Sequence, residues 1–138
     1  MKARAVFGAF LLTFAAALPS AYAGPYLDRA AILLSDARRG SEWLLTHLSD
    51  KELATILREM AEARLRAARK LTVPKEVIGA HPHLLLTLEN AERAAAAAQE
   101  GSNERFLHYL RLAREEDANF RAVLAAQKYE LPPIDGKK

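Results

Sequence analysis

Apolar residues recur at alternating steps of four and three along four segments of this chain, and this spacing is the strongest constraint on its fold. Such steps place the apolar side chains on one face of an α-helix. No stretch alternates apolar and polar residues with a period of two, and glycine and proline lie almost wholly outside the four segments. The pattern therefore predicts an all-α protein with four amphipathic helices.

The first two predicted helices follow each other almost without a loop. The first starts at Pro25, which suits a first helical turn, and we interpret it as one long helix in which Gly40 permits close packing. A three-helix core with this helix broken at Gly40 is the alternative. Ser49 and Glu52 form a capping box that predicts the start of the second helix, which ends before Pro74. The predicted inward faces are Tyr26, Ala30, Leu33, Ala37, Gly40, Leu44 and Leu48 in the first helix, and Leu53, Leu57, Met60, Arg64, Ala67 and Leu71 in the second.

The third and fourth predicted helices are separated by a tight turn. The third starts near Pro82 and ends at Gly101, since glycine is favoured just past a helix end. Ser102 or Asn103 then caps the fourth helix. The predicted inward faces are Leu84, Leu88, Ala91, Ala95 and Ala98 in the third helix, and Phe106, Leu110, Ala113, Asp117, Phe120 and Leu124 in the fourth.

Four helices with mostly short connections favour an antiparallel up-down-up-down four-helix bundle. Only the connection at 71–80 is long, and Val77 and Ile78 are predicted to plug the open end of the bundle. The predicted bundle domain spans residues 24–131. Residues 132–138 are predicted to form a flexible tail with little to bury.

The first 23 residues have the three parts of a secretory signal peptide. Lys2 and Arg4 precede an uncharged apolar run over 5–18, and Ala21-Tyr22-Ala23 supplies the small-residue pattern for cleavage after Ala23. The run is shorter than the roughly 20 residues needed to span a bilayer. We therefore expect an exported protein, periplasmic or secreted, with no transmembrane segment once the signal is removed. The chain has no cysteine, so disulfides do not stabilise it.

The charge balance argues against nucleic acid as a partner. The chain has 20 Lys and Arg against 17 Asp and Glu. Lys2 and Arg4 belong to the predicted signal, which leaves 20 − 2 = 18 basic residues against 17 acidic ones. The densest basic run, 64–70, spreads around its helix and forms no stripe of the kind that nucleic acid needs.

The histidines offer one candidate metal site. His81 and His83 flank Pro82 at the start of the third helix, and Glu76 precedes them in the connection. Two histidines separated by one residue at a helix start diverge, so they form a loose pair at best. We interpret them as helix-entry residues, with a metal-binding or metal-buffering site at His81 and His83 as the alternative.

Other kinds of chemistry find little support in the sequence. Carboxylate-bridged metal pairs in bundles need Glu-x-x-His spacings that are missing here, and c-type haem attachment needs cysteine. Met60 has no histidine on a core face to share a haem, and no serine has a histidine placed to activate it. We expect no cofactor and no enzymatic activity. The chain is predicted to act through contacts with a protein partner or through self-association, and Trp43, off the main apolar stripe, is either a half-buried edge residue or a partner contact.

Two charged residues interrupt the apolar faces. Arg64 and Asp117 each lie 14 residues into their predicted helices, which begin near Asp50 and Asn103. In an up-down-up-down bundle these two helices run parallel, so both residues would lie about 21 Å from the same end. A buried charge is unfavourable unless it is paired. The sequence therefore predicts a buried ion pair between Arg64 and Asp117 that fixes helix register.

Overall fold

The computed structural model describes residues 23–134, most of which are helical. The helices are α1 (Ala23–Thr46), α2 (Lys51–Arg69), α3 (His81–Gln99) and α4 (Asn103–Ala126), with one 3-10 turn at Lys75–Val77. No strand occurs within this range, so the prediction of an all-α protein with four helices is confirmed. None of these helices combines the length and the apolar character that crossing a membrane requires. Residues 1–22, which carry nearly all of the predicted signal peptide, and 135–138 lie outside the described range.

Helix α1 continues without a break through Gly40. A β-carbon at Gly40 would lie 3.4 Å from Nη2 of Arg64 and 3.6 Å from Cδ2 of Leu57. Gly40 therefore faces α2, but a β-carbon would fit there, so the packing does not need glycine and the prediction of a close approach is not confirmed. The alternative with α1 broken at this glycine is wrong.

Helix α3 packs against each of the other three helices. Its five predicted inward residues, which include Leu84 and Ala98, are all buried. Four further residues are buried as well, so contact covers a wide arc of the helix, and the small alanine side chains allow its neighbours to come close. The helix ends as predicted near Gly101, which has a φ of 80°, a conformation that glycine adopts without strain.

Helix α4 follows its predicted pattern along its whole length. All six predicted inward residues, from Phe106 to Leu124, are buried. Ser102 caps the helix, because its side chain accepts a hydrogen bond from the backbone N–H of Arg105 at 3.3 Å.

Helix α2 buries a different face from the predicted one. The buried residues are Ala54, Ala61, Leu65 and Ala68, whereas Met60 is 49% exposed. The buried stripe is displaced by one residue, a rotation of about 100° around the helix axis. Ala54 packs in one cluster with the alanines of α3; Leu57 is half-buried against the same cluster, and Met60 turns outward. The predicted capping box is also wrong, because Asp50 and not Ser49 caps the helix by accepting from Leu53 N–H at 2.9 Å.

The two irregular segments close the same end of the core. Val77 is fully buried and plugs the bundle as predicted, whereas Ile78 is 61% exposed, so that part of the prediction is wrong. After α4, Tyr129 and Leu131 pack against the same cluster of buried residues as Val77.

The core consists of two apolar clusters with polar groups between them. Tyr26 and Phe120 belong to one cluster, and Leu44 and Phe106 belong to the other. Asp117 on α4 lies between the two clusters in sequence and is itself buried. Asp117 therefore marks a polar position in the middle of an otherwise apolar core, and a candidate site is centred on it.

Candidate functional site

Asp117 holds two arginines from different helices. Its side chain is 11% exposed; Oδ2 accepts a hydrogen bond from Nη2 of Arg38 on α1, and Oδ1 accepts one from Nε of Arg121 on α4, each at 2.9 Å. The two arginine side chains are 61% and 48% exposed, so their guanidinium groups extend from the buried carboxylate towards solvent. We call these three residues the Asp117 cluster.

The predicted ion pair between Arg64 and Asp117 is wrong. Asp117 takes Arg38 and Arg121 instead, and Arg64 lies beside Gly40 of α1. The cause is the rotation of α2: once Leu65 turns inward, Arg64 turns by about 100° towards the outer edge of α1. Asp117 was correctly placed on the buried face of its own helix, but its partner was not.

Two cavities flank the Asp117 cluster. A small one of about 40 Å³ lies among α1, α3 and α4, where Ser41, Thr87 and Asp117 contribute polar groups to its wall. Such a volume holds only a few water molecules. A larger cleft of about 300 Å³ lies on the other side of Arg38 and Arg121 and is closed by the segment after α4. We call this larger space the tail cleft.

A second concave surface lies between α1 and α2. It has a volume of about 230 Å³ and is lined by Asp36, Arg39, Gly40, Trp43, Leu57, Met60 and Arg64. Trp43 is 56% exposed, so it is a surface residue and not a half-buried edge residue. We call this surface the Trp43 groove.

Arg64 forms the polar wall of the Trp43 groove. Its Nε is buried and has no hydrogen-bond partner among residues 23–134. Burial lowers the pKa of Arg64, and the nearby charge of Asp36 acts in the opposite direction. A partly desolvated guanidinium favours a carboxylate partner, and Arg64 shares the groove lining with Arg39 and Asp36.

His81, one of the two candidate metal ligands, contacts a core residue. The hydroxyl of Tyr26 and Nδ1 of His81 share a hydrogen bond of 2.9 Å. Burial raises the pKa of Tyr26 and lowers the pKa of His81, so both groups stay neutral at neutral pH. This pair joins the start of α1 to the start of α3.

His83 has a different partner from His81. Its Nδ1 lies 2.7 Å from Oε2 of Glu116 on α4. The two candidate metal ligands are thus tied to separate helices, each through Nδ1. In the part of the chain that the structure describes, no three His, Cys, Asp or Glu side chains are grouped so that they could hold a metal ion.

The spacing of apolar residues did not predict Arg38 and Arg121 as the partners of Asp117. Arg121 lies four residues after Asp117 on the same helix, the ordinary spacing of a helical ion pair, and that signal was available. Arg38 directly follows the buried Ala37, at the edge of the inward face of α1. Its long side chain reaches Asp117 from that edge, which the spacing of apolar residues does not reveal.

Comparisons with protein-family models, with curated proteins and with solved structures found no match to this chain.

Proposed function

We propose that this chain is an exported, non-enzymatic helical bundle that acts through contacts with a protein partner. The Trp43 groove carries the proposal. It combines an exposed tryptophan, an exposed methionine and a desolvated arginine, which are the residue types enriched at the centres of protein interfaces. The partner has apolar side chains for Trp43 and Met60 and a carboxylate for Nε of Arg64.

The groove extends beyond its lining residues. Ile56 lies one helical turn before Met60 on α2 and is 56% exposed, so a continuous apolar strip runs along the outside of this helix. This strip is exposed because α2 turns the face that carries its buried alanines towards the core. An exposed apolar surface of this kind is typical of interaction sites.

Site-specific crosslinking tests the groove directly. A photoreactive side chain at position 43 or 60 is expected to give discrete higher-mass adducts in the native compartment. Leu107 on α4 is the matched control, because it is 50% exposed but lies away from the groove. The absence of adducts at positions 43 and 60, or equal adducts at 107, would contradict the proposal.

Export is the second part of the proposal, and the leader sequence supports it. Mature protein is expected to begin at Gly24, directly before Pro25 in the first turn of α1. Replacing Ala23 with arginine should leave an unprocessed precursor, whereas replacing it with serine should not. N-terminal sequencing of the exported fraction checks both, and exported protein that begins at Met1 would refute the signal.

The proposed topology is an antiparallel up-down-up-down bundle. Contacts between neighbouring helices support it: Gln99 at the end of α3 donates to Thr55 in the first half of α2 at 2.9 Å. His83, early in α3, pairs with Glu116 in the second half of α4. Distances between spin labels placed at the helix ends test this arrangement.

A further inference from the structure

We propose that the tail cleft is a binding site for a small organic monocarboxylate with an apolar body. The cleft has a volume of about 300 Å³. Arg38, Arg121 and Ser35 form its polar side, and Leu34, Pro132 and Ile134 are among its apolar walls. Polar and apolar groups share the lining of the cleft, so it suits a ligand that has one charged end and one apolar end.

The Asp117 cluster prepares the two arginines for an anion. Among residues 23–134, each guanidinium donates one hydrogen bond to Asp117, and a guanidinium carries five N–H donors. Asp117 thus fixes both side chains while leaving most of their donors for another acceptor. A planar carboxylate matches the paired N–H groups of arginine.

The charge of the cluster selects a single negative charge. Two arginines and one aspartate sum to +2 − 1 = +1, and these arginines are the only charged residues that line the cleft within the described range. A monocarboxylate neutralises the cluster, whereas the second charge of a phosphate is repelled by Asp117. The apolar walls then favour a hydrocarbon body over a bare inorganic ion.

The segment after α4 completes the site. Pro132 is half-buried and, with Leu131 and Ile134, covers the cleft from the side opposite α1. Proline fixes its own φ, so the two successive prolines restrict the conformations of this segment and reduce the entropy that it loses on binding. The Asp117 cluster and this segment therefore act together: one orders the anion-binding groups and the other supplies the apolar cover.

Titration of the protein with benzoate and hexanoate, followed by two-dimensional NMR, tests the site. We expect saturable shifts of the Arg38 and Arg121 Nε–H signals with a Kd of about 1 mM or tighter. Benzamide, the uncharged analogue of benzoate, and inorganic phosphate are expected to bind at least about tenfold more weakly. No saturation by about 10 mM for either acid would overturn the proposal, and so would equal binding of phosphate or benzamide.

Three variants locate the binding. Arg121→Gln should weaken benzoate binding at least about tenfold. Arg111→Gln, on the same helix and paired with Glu115 on the surface, should leave it unchanged. Ser35→Leu fills the cleft while leaving the Asp117 cluster intact, so it should abolish binding even if Arg121→Gln fails to fold. Unchanged affinity in Ser35→Leu would place the ligand elsewhere and overturn the site.

Discussion

Asp117 is an acidic residue whose side chain is buried in the core. A carboxylate that is 11% exposed needs donors, and Arg38 and Arg121 provide them while keeping their own cationic groups in water. The arrangement avoids burying a complete ion pair, which would desolvate two charges instead of one. The two arginines therefore compensate for the burial of Asp117 on an otherwise apolar face.

Removing both donors of Asp117 should be costly. Arg38→Met together with Arg121→Met leaves the carboxylate unpaired, and we expect the free energy of unfolding to fall by about 1 to 3 kcal/mol. Adding Asp117→Leu should recover much of this loss. Urea denaturation followed by circular dichroism measures all three proteins.

Arg64→Met is the matched control for that series. Its Nε makes no hydrogen bond in the described part of the chain, so we expect a change within about 0.5 kcal/mol, or a small gain in stability. A loss as large as that of the double arginine variant would restore Arg64 as a structural partner in the core.

At the scale of the helices, apolar spacing predicts faces well where large residues point inward. In α4 the repeat contains phenylalanine and leucine, and every predicted position is buried. In α2 two stripes compete, one with Leu57 and Met60 and one with Ala54, Ala61 and Ala68. The buried stripe also contains Leu65, so side-chain size alone does not decide between the two, and the face that turns inward is set by the neighbouring helices, which the sequence of α2 does not contain.

The start of α2 gives a direct test of the corrected cap. Asp50→Ala removes the acceptor for Leu53 N–H and should lower the free energy of unfolding by about 1 kcal/mol. Ser49→Ala, one residue earlier, should have little effect, because Ser49 does not cap the helix. Thermal denaturation of the two variants separates these outcomes, and the opposite order would reinstate the capping box of Ser49 and Glu52.

Gly40 tests the contact between α1 and α2. Alanine favours the helix by about 1 kcal/mol over glycine, and its β-carbon would meet Arg64 and Leu57 at ordinary contact distances. We therefore expect Gly40→Ala to raise the free energy of unfolding by about 0.5 to 1 kcal/mol. Gly40→Leu adds atoms that must displace both neighbours and should lower it. Chemical denaturation measures both, and a destabilised alanine variant would mean that the helices approach more closely than described.

At the scale of the whole molecule, the sequence predicts the number and limits of the helices but not which side chains meet across them. The helix limits follow from local features such as Ser102 and Gly101. The Asp117 cluster and the Trp43 groove depend instead on the rotation of each helix about its axis. A displacement of one residue in α2 was enough to replace a predicted internal ion pair with an exposed groove.

The pair of Tyr26 and His81 should make global stability depend on pH. The folded state lowers the pKa of His81 below its ordinary value near 6.5, so the unfolded chain takes up a proton first as the pH falls. The stabilisation is complete above about pH 6.5 and is lost as the pH falls through the folded pKa. Protonation also puts a charge on the imidazole that shares a hydrogen bond with the hydroxyl of Tyr26. We therefore expect the Tm to decrease between pH 7.5 and pH 5.

His81→Asn separates this contribution from other acid-sensitive contacts. Asparagine offers an oxygen acceptor near the position of Nδ1 and does not titrate in this range, so the Tm of the variant should depend less on pH than that of the parent. The contact between His83 and Glu116 is present in both proteins and cancels in the comparison. Identical pH profiles for parent and variant would show that His81 does not carry the effect, and melting curves at four or five pH values are sufficient to decide.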